Sequence, residues 1–294
     1  MRIFLTGATG FIGSKIVPEL INAGHQVLGL TRSDDGERAL LGAGAQVHRG
    51  DLEDLQSLRD GAAACDGVIH TAFDHDFQNF VANCEKDRRA ILALGDALTG
   101  KDAPLLITSG TGMGQAGAGQ LATEDYFDRQ NKHPRTASEL AGQELLRRGV
   151  NVSVMRLSQI HDVNRQGLVT YLIALAREKG VSAYVGQGQN RWSAAHVSDT
   201  ARLFRLALEK RQAGARYHAT AEQGIALRSI AEVIGARLGV PMIGVPEPEA
   251  AGHFGWLSAF AAADMPATST STQERLQWHP VGPGLLTSLQ QIVP

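Results

Sequence analysis

Three glycines at intervals of three, set directly behind an apolar run, restrict this chain more than any other feature. In "RIFLTGATGFIGSKIV", Gly7, Gly10 and Gly13 fall between a predicted strand and the opening of a predicted helix. Each answers a different steric demand. Gly7 permits a tight turn, Gly10 lets backbone approach a pyrophosphate with no Cβ in the way, and Gly13 allows close packing of helix on strand. The first turn of the helix then presents unpaired N–H groups and the positive end of its dipole to the phosphates. The segment predicts a dinucleotide site formed by Gly7, Thr9, Gly10, Phe11, Ile12 and Gly13. A glycine-rich turn with no ligand is the plainer alternative, and the strand–helix context argues against it. Pro18 lies inside the same helix, where it costs one backbone hydrogen bond and a slight bend.

The alternation continues. After "RIFLTG" come "HQVLGLT", "AQVHRGD", "DGVIHTAF", "PLLITSG" and "NVSVMRL", with helical segments ending at Asn22 and lying near 35–42, 54–62, 78–98 and 135–148. Strand and helix in turn predict a parallel sheet covered on both faces, an α/β Rossmann fold with a doubly wound sheet. With 294 residues, 43% of them hydrophobic, the chain can bury a large core of one or two associated domains. Past "NVSVMRL" the regularity weakens, and helical stretches such as "LVTYLIALAREKG" mix with loops rich in Gly and Gln. The expected division is a nucleotide-binding core over 1–156 and a small C-terminal substrate lobe over 157–294, with the segment around 190–212 returning to the core. No low-complexity linker separates the two, so closely associated lobes with a cleft between them are expected.

Lys+Arg 28 against Asp+Glu 30 gives a net charge of −2, which offers no electrostatic footprint for nucleic acid or an anionic membrane. Cys65 and Cys84 lie far apart with no CxxC or Cys/His ligand spacing, so buried thiols are expected, not a disulfide or a zinc site. "MRIFLTGATG" leads straight into a strand without the regions of a secretory leader, and no apolar run approaches the ~18 residues of a membrane span. A cytoplasmic protein with a small-molecule substrate is the expectation.

Where the second strand ends, Thr31 takes the place at which an Asp or Glu would bind ribose hydroxyls, and Arg32 follows. A guanidinium there can hold a 2′-phosphate bidentately, while a carboxylate would repel it, so NADP(H) is favoured over NAD(H). The alternative leaves Arg32 as a solvated loop charge, with Asp34 or Asp35 curling back to the ribose. Asp51, with Leu52, follows the third strand and meets the adenine edge, or else Asp51 caps the next helix. Thr71, Ala72 and Phe73, after the fourth strand, complete the expected cofactor contacts.

These motifs together resemble the short-chain dehydrogenase/reductase superfamily in its extended form, the group that includes nucleotide-sugar epimerases and 3β-hydroxysteroid dehydrogenases. "TGATGFIG", "GDLED", "GVIHTAF", "LLITSG", "RWSAAHVSDTARLFRLALE" and "ERLQWHP" carry the likeness over nearly the whole chain. "HVSDTA" is similar to the segment that closes the substrate lobe on the core, and "LQWHP" to a terminal Leu-Gly-Trp-x-Pro. The resemblance implies a seventh strand in the core, an NAD(P) cofactor, and a homodimer in many members. It departs at the catalytic helix. Aligned through "SELAGQELLRRGVNVSVMRL", the usual tyrosine falls on Pro134 or Arg135, and the lysine four residues later on Ser138 or Glu139. The chain is therefore similar to an atypical subgroup that keeps the dinucleotide motif without the Tyr-Lys pair, and no subgroup function follows from the likeness.

Exchanging hydride between a nicotinamide and a carbonyl needs a group about 3 Å from the oxygen that gives or takes a proton. His133, at the mouth of the helix that Pro134 opens, and His75, in "HTAFDHDF" at the C-terminal ends of the strands, are candidates because imidazole titrates near neutrality. His133 can equally be a surface histidine capping a helix start. Arg135 cannot donate a proton but can polarise a carbonyl, against a plainer reading as a solvated helix charge. Ser109 and Thr111 match the place where the family orients its substrate with a hydroxyl, against hydrogen bonding within a Gly-rich turn. Asp74, His75 and Asp76 crowd one short loop whose adjacent side chains do not converge on an ion, so no metal is expected. Tyr126, without a lysine partner, ranks behind the histidines. Arg191, Trp192 and His196 resemble a substrate-contact segment, with core packing the alternative for Trp192, and Arg156 and His161 lie at the sixth strand near the expected nicotinamide end. The favoured function is an NADP(H)-dependent oxidoreductase acting on a carbonyl or alcohol. A catalytically silent NADP(H)-binding redox sensor and a sugar epimerase are the alternatives.

Overall fold

The computed structural model describes residues 1–293. The short apolar runs form strands β1 (Arg2–Thr6), β2 (Gln26–Thr31), β3 (Gln46–Arg49), β4 (Gly67–His70), β5 (Leu105–Gly110) and β6 (Val152–Leu157). Later strands are β7 (Gln159–His161), β8 (Ser182–Val185), β9 (Arg191–His196), β10 (Arg216–Ala219), β11 (Glu222–Ala226) and β12 (Met242–Val245). Helices α1 (Gly13–Asn22), α2 (Asp34–Gly42), α3 (Leu55–Ala63), α4 (Phe80–Asp96) and α5 (Thr136–Arg147) link the first six strands. They are followed by α6 (Val169–Lys179), α7 (Val197–Lys210) and α8 (Leu227–Leu238), with short helical turns beyond.

Strands β1 to β6 and β10 make a seven-stranded sheet in the order β10-β6-β5-β4-β1-β2-β3, with every pair parallel. A parallel sheet is buried on both faces, and the alternation of side chains along each strand decides which residue enters which core. Ile3 and Leu5 of β1 pack with α1, α7 and Trp278, whereas Phe4 packs on the other face with α3, α4 and α5. Ile16, Val17 and Leu20 of α1 are at most 1% exposed, and each such side chain contributes about 1.5–3 kcal/mol by leaving water. Pro18 is exposed and α1 runs unbroken through it.

Beyond β6 the chain builds a second lobe from the sheets β11-β9-β7 and β12-β8, around a core that includes Ile173, Trp192, Leu227 and Ile230. Helix α7 then packs on α1, and β10 pairs with β6, so the return to the core runs on to Ala219, past the 190–212 stretch expected. The Trp278 indole N–H donates to Asp199 O at 3.0 Å, while the Asp199 carboxylate accepts from the N–H groups of Val281 and Gly282 at 3.0 and 2.6 Å. Asp199 of "HVSDTA" thus holds Trp278 of "LQWHP" and the two residues that follow that motif.

Arg156 of β6 and Glu139 of α5, both with 0% side-chain exposure, are joined by two bonds of 2.8 and 2.9 Å, and Arg216 adds a third to Glu139 at 3.0 Å. Arg156 also donates to the carbonyls of Thr123 and Tyr126. It is a buried strut beneath that loop and not a residue of the cleft described below. Removing one partner of such a pair costs up to about 3–5 kcal/mol, because the remaining charge stays buried, here with only the partly buried Arg216 left against Glu139. Arg156→Ala should lower the stability measured by urea unfolding by about that amount; a loss below about 1 kcal/mol would contradict the role given to it.

Candidate active site

Strand β1 ends at Thr6 and the chain turns at Gly7, whose φ is +69°. A Cβ there would lie 2.7 Å from Ala72 N, and one on Gly13 would lie 2.0 Å from Gly7 O, so neither position admits a side chain. At Gly10 a Cβ would meet only Gly7 O, at 3.1 Å, which leaves bare backbone on its open side. This loop and the ends of β2, β3, β4 and β6 border a cleft of about 1270 Å³, more than the roughly 300–1,000 Å³ that a drug-sized ligand needs. Gly7, Thr9, Gly10, Phe11, Ile12, Gly13, Thr31, Arg32, Asp51, Leu52, Thr71, Ala72 and Phe73 all line it. Bare backbone at a helix N-terminus and a guanidinium at one end fit a dinucleotide with its pyrophosphate on the loop.

At the end of β2, Thr31 is buried and its hydroxyl turns to Ser33, which in turn caps α2 by accepting from Gly36 N–H at 3.1 Å. Arg32 is exposed in the cleft wall, and among the described residues its guanidinium has no ion-pair or hydrogen-bond partner. Asp34 is paired with Arg49 at 2.8 Å and Asp35 with Arg38, so neither carboxylate curls back toward the ribose. Asp51 accepts from the N–H groups of Glu53 and Asp54 at 2.8 and 3.1 Å. It is not the cap of α3; Asp54 is, accepting from Ser57 N–H at 3.0 Å.

Beneath the floor of the cleft runs a chain of polar groups. Thr6 Oγ1 meets His70 Nδ1 at 2.7 Å, and His70 Nε2 meets Asp87 Oδ1 at 3.0 Å. Asp87 Oδ2 accepts from Arg135 at 2.8 Å and from the Ser138 hydroxyl at 2.6 Å. Burial alone would raise the Asp87 carboxyl, but Arg135, His70 and Ser138 outweigh it and hold its pKa below the ordinary 3.8. Arg135 also donates to Thr108 O at 2.9 Å and stands 4.0 Å from the centroid of the Phe73 ring. It is therefore not a solvated helix charge: it backs Phe73, and Phe73, not Arg135, forms the cleft wall. Of the positions that the alignment gives to the tyrosine and lysine, Arg135 and Ser138 bond Asp87, and Glu139 bonds Arg156 and Arg216.

His75 lines the cleft, edge-on to Phe73 and Phe77 with centroids 5.3 and 6.2 Å apart. Partial desolvation lowers its pKa from the ordinary 6.5, and the charges of Arg135 and Arg165 act in the same direction. His133 is exposed, edge-on to Phe80, and its Nδ1 accepts from Arg135 N–H at 3.2 Å; it caps the turn into α5 and does not line the cleft. Ser109 and Thr111 are buried behind the cleft surface, and among the described residues the Ser109 hydroxyl has no hydrogen-bond partner. The structure turns the proposed substrate segment elsewhere. Trp192 is fully buried in the second lobe, Arg191 pairs with Asp264 at 2.7 Å, and His196 caps α7 beside Ser198. His161 is buried with Nδ1 on Ser288 at 3.0 Å. Sequence reasoning missed Lys86, Arg165 and Tyr171, all of which line the cleft. Lys86 bonds Asp74 at 2.9 Å and pairs with Glu53 at 3.3 Å, tying together the loops after β4 and β3. Nothing in helical periodicity marks which charge of α4 turns that way. Among the described residues no three His, Cys, Asp or Glu side chains converge as a metal site.

A glycine-cornered loop and a cleft at the C-terminal ends of a doubly wound parallel sheet define a dinucleotide-binding α/β protein. Residues 3–220 match the model of the NAD dependent epimerase/dehydratase family, and the chain belongs to that family. It is 47% identical over 290 residues to an uncharacterized protein of Schizosaccharomyces pombe, covering 98% of each chain. It is 26% identical over 288 residues to the 4-hydroxy-2-methyl-3-oxo-4-farnesyl-3,4-dihydroquinoline-1-oxide ketoreductase of Stigmatella aurantiaca, covering 91% of this chain and 84% of that one. The crystal structure of DesIV, a dTDP-glucose 4,6-dehydratase of Streptomyces venezuelae with NAD and TYD bound, superposes with a TM-score of 0.77 at 19% identity, over 99% of this chain and 96% of that one. That likeness shows the shared fold. Family and relatives together make the chain an NAD(P)-dependent enzyme of the oxidoreductase or epimerase kind.

The Asp87 carboxyl has a folded pKa below its unfolded one, so its contribution to stability is complete above the carboxylate range and is lost as pH falls through the folded value. Arg135→Ala raises that folded value by removing the main opposing charge. Its melting temperature should therefore begin to fall at a higher pH than that of the unmodified chain between pH 7 and pH 3; parallel curves would show that Arg135 does not hold the carboxylate.

Proposed function

We infer that the chain is an NADP(H)-dependent oxidoreductase acting on a carbonyl or alcohol, with residues 1–156 holding the nucleotide and the lobe beyond supplying much of the substrate side. The observation that carries this reading is one continuous cleft lined by the glycine loop, by an Arg32 without a partner among the described residues, and by His75 beside Phe73. When bound, the dinucleotide supplies or accepts the hydride. The residues do the rest. Bare backbone at Gly10 receives the pyrophosphate, Arg32 grips the 2′-phosphate, and Phe73, braced by Arg135, keeps water from one side of the reacting carbon. His75 gives the proton to the carbonyl oxygen, or takes it from the alcohol. One observation favours a second reading, an NADP(H)-binding redox sensor without turnover: Arg135 and Ser138 are committed to Asp87 beneath the floor and do not face the cleft.

Consumption of NADPH with a panel of aldehydes and ketones separates the two, because the sensor binds NADPH and turns nothing over. Arg32→Gln should weaken NADPH by about 10–100-fold, the loss of a charge-assisted hydrogen bond or two, and leave NADH unchanged. Equal loss for both cofactors would reject the 2′-phosphate contact. His75→Gln should lower kcat for reduction by about 10²-fold. Protonated His75 is the donor and becomes scarcer as pH rises through its lowered pKa, so reduction should slow above that point while alcohol oxidation quickens. The same profile in His75→Gln would remove His75 from the proton path.

A further inference from the structure

On the β4 and β6 side of β1, the cleft has an aromatic wall to which no role was given above. Phe77, from the loop after β4, stacks on Trp256 with centroids 4.5 Å apart and 10° between planes. Tyr171 of α6 stands edge-on to both, at 6.0 Å from Phe77 and 5.0 Å from Trp256. Core, α6 and the turn at Gly255–Leu257 thus converge on one aromatic corner, yet Tyr171 and Trp256 remain 39% and 44% exposed. Rings of this size, left half in water beside a cleft, offer faces and edges on which another flat ring gains stacking energy.

The charge at this corner is also specific. Lys86 is neutralised by Asp74 and Glu53. Arg165 lines the cleft, is exposed, and among the described residues its guanidinium has no partner. Its loop is held in place, because Asp162 accepts from the N–H groups of Asn164 and Arg165 at 2.7 and 3.0 Å. Arg165 is close enough to His75 for its charge to disfavour protonation of that ring. One unpaired guanidinium matches a single carboxylate through a two-bond fork. The two phosphates of a nucleotide sugar would ask for more positive charge than this corner carries.

We propose that the substrates are flat-ringed oxo acids, with the ring against Phe77 and Tyr171 and the carboxylate on Arg165. This rests on the oxidoreductase reading above. In the reduction, the carbonyl carbon gains the hydride given up by NADPH and its oxygen gains a proton, leaving a hydroxy acid and NADP⁺.

Phenylglyoxylate is a probe of this class, its methyl ester removes the charge, and pyruvate removes the ring. With NADPH and the full chain, the KM for phenylglyoxylate should lie about tenfold or more below the KM of either control. Arg165→Gln should raise the KM for the acid about tenfold while leaving the ester and the affinity for NADPH unchanged. Tyr171→Leu should raise it for both ring compounds and not for pyruvate. Binding has its own readout. Of the three tryptophans, Trp192 and Trp278 are 0% exposed, so quenching of emission by phenylglyoxylate reports on Trp256 whether or not turnover follows. Saturable quenching that weakens in Arg165→Gln, without NADPH consumption, would support the ring-and-carboxylate site and defeat the oxidoreductase reading. Turnover of all three compounds at one KM, or tighter binding of UDP-glucose than of phenylglyoxylate, would overturn the site and leave that reading standing.

Discussion

The approach of α1 to β1 sets the rest of the molecule in place. At Gly13 no atom larger than hydrogen fits, since a Cβ would come within 2.0 Å of Gly7 O. Gly7 closes the other side against Ala72, at the end of β4. Two missing side chains therefore draw together the first helix, the first strand and the fourth, and the N-terminus of α1 opens into the space left over. Every other contribution to the cleft, from Arg32 to Tyr171, is arranged around that opening. Because α7 packs on α1 and carries the Asp199–Trp278 lock, the same approach also sets the place of the C-terminal segment around Trp278.

Beneath the floor, a buried carboxylate organises the polar groups. Asp87 is 1% exposed and gathers His70, Arg135 and Ser138. A buried ion pair of this kind adds little net stability over well-packed apolar groups, but removing one partner is costly, so the network fixes geometry more than it adds energy. What it fixes is Phe73, through the guanidinium that lies across its ring. The cleft thereby gains an aromatic wall braced from behind.

Much of the fold, and the set of residues around the glycine loop that line the cleft, was legible in the sequence, for local reasons. Steric demands on Gly7, Gly10 and Gly13 are made within one turn, and each nucleotide-side loop directly follows a strand that its own apolar run announces. Beyond that set, the evidence was tertiary. Arg135 read as a solvated charge because its partner Asp87 lies 48 residues earlier in the chain. His133 drew notice by standing next to the aligned helix, and yet its side chain caps the entry to that helix. Trp192 and Arg191 follow a family-like segment into a core and a surface ion pair. The aromatic corner needed Phe77, Tyr171 and Trp256 from three distant segments, and no period or spacing joins them.

A dinucleotide lying on the bare backbone between β1 and α1 and reaching across to the end of β4 would cover the amides there. Amide hydrogen exchange, measured with and without NADPH, tests this without reference to any substrate. Exchange at residues 9–14 and 71–73 should slow on adding NADPH, while the helices of the second lobe stay as they were. If NADPH left the glycine loop exchanging at its free rate, or protected only segments away from the cleft, the nucleotide would not be where the geometry puts it.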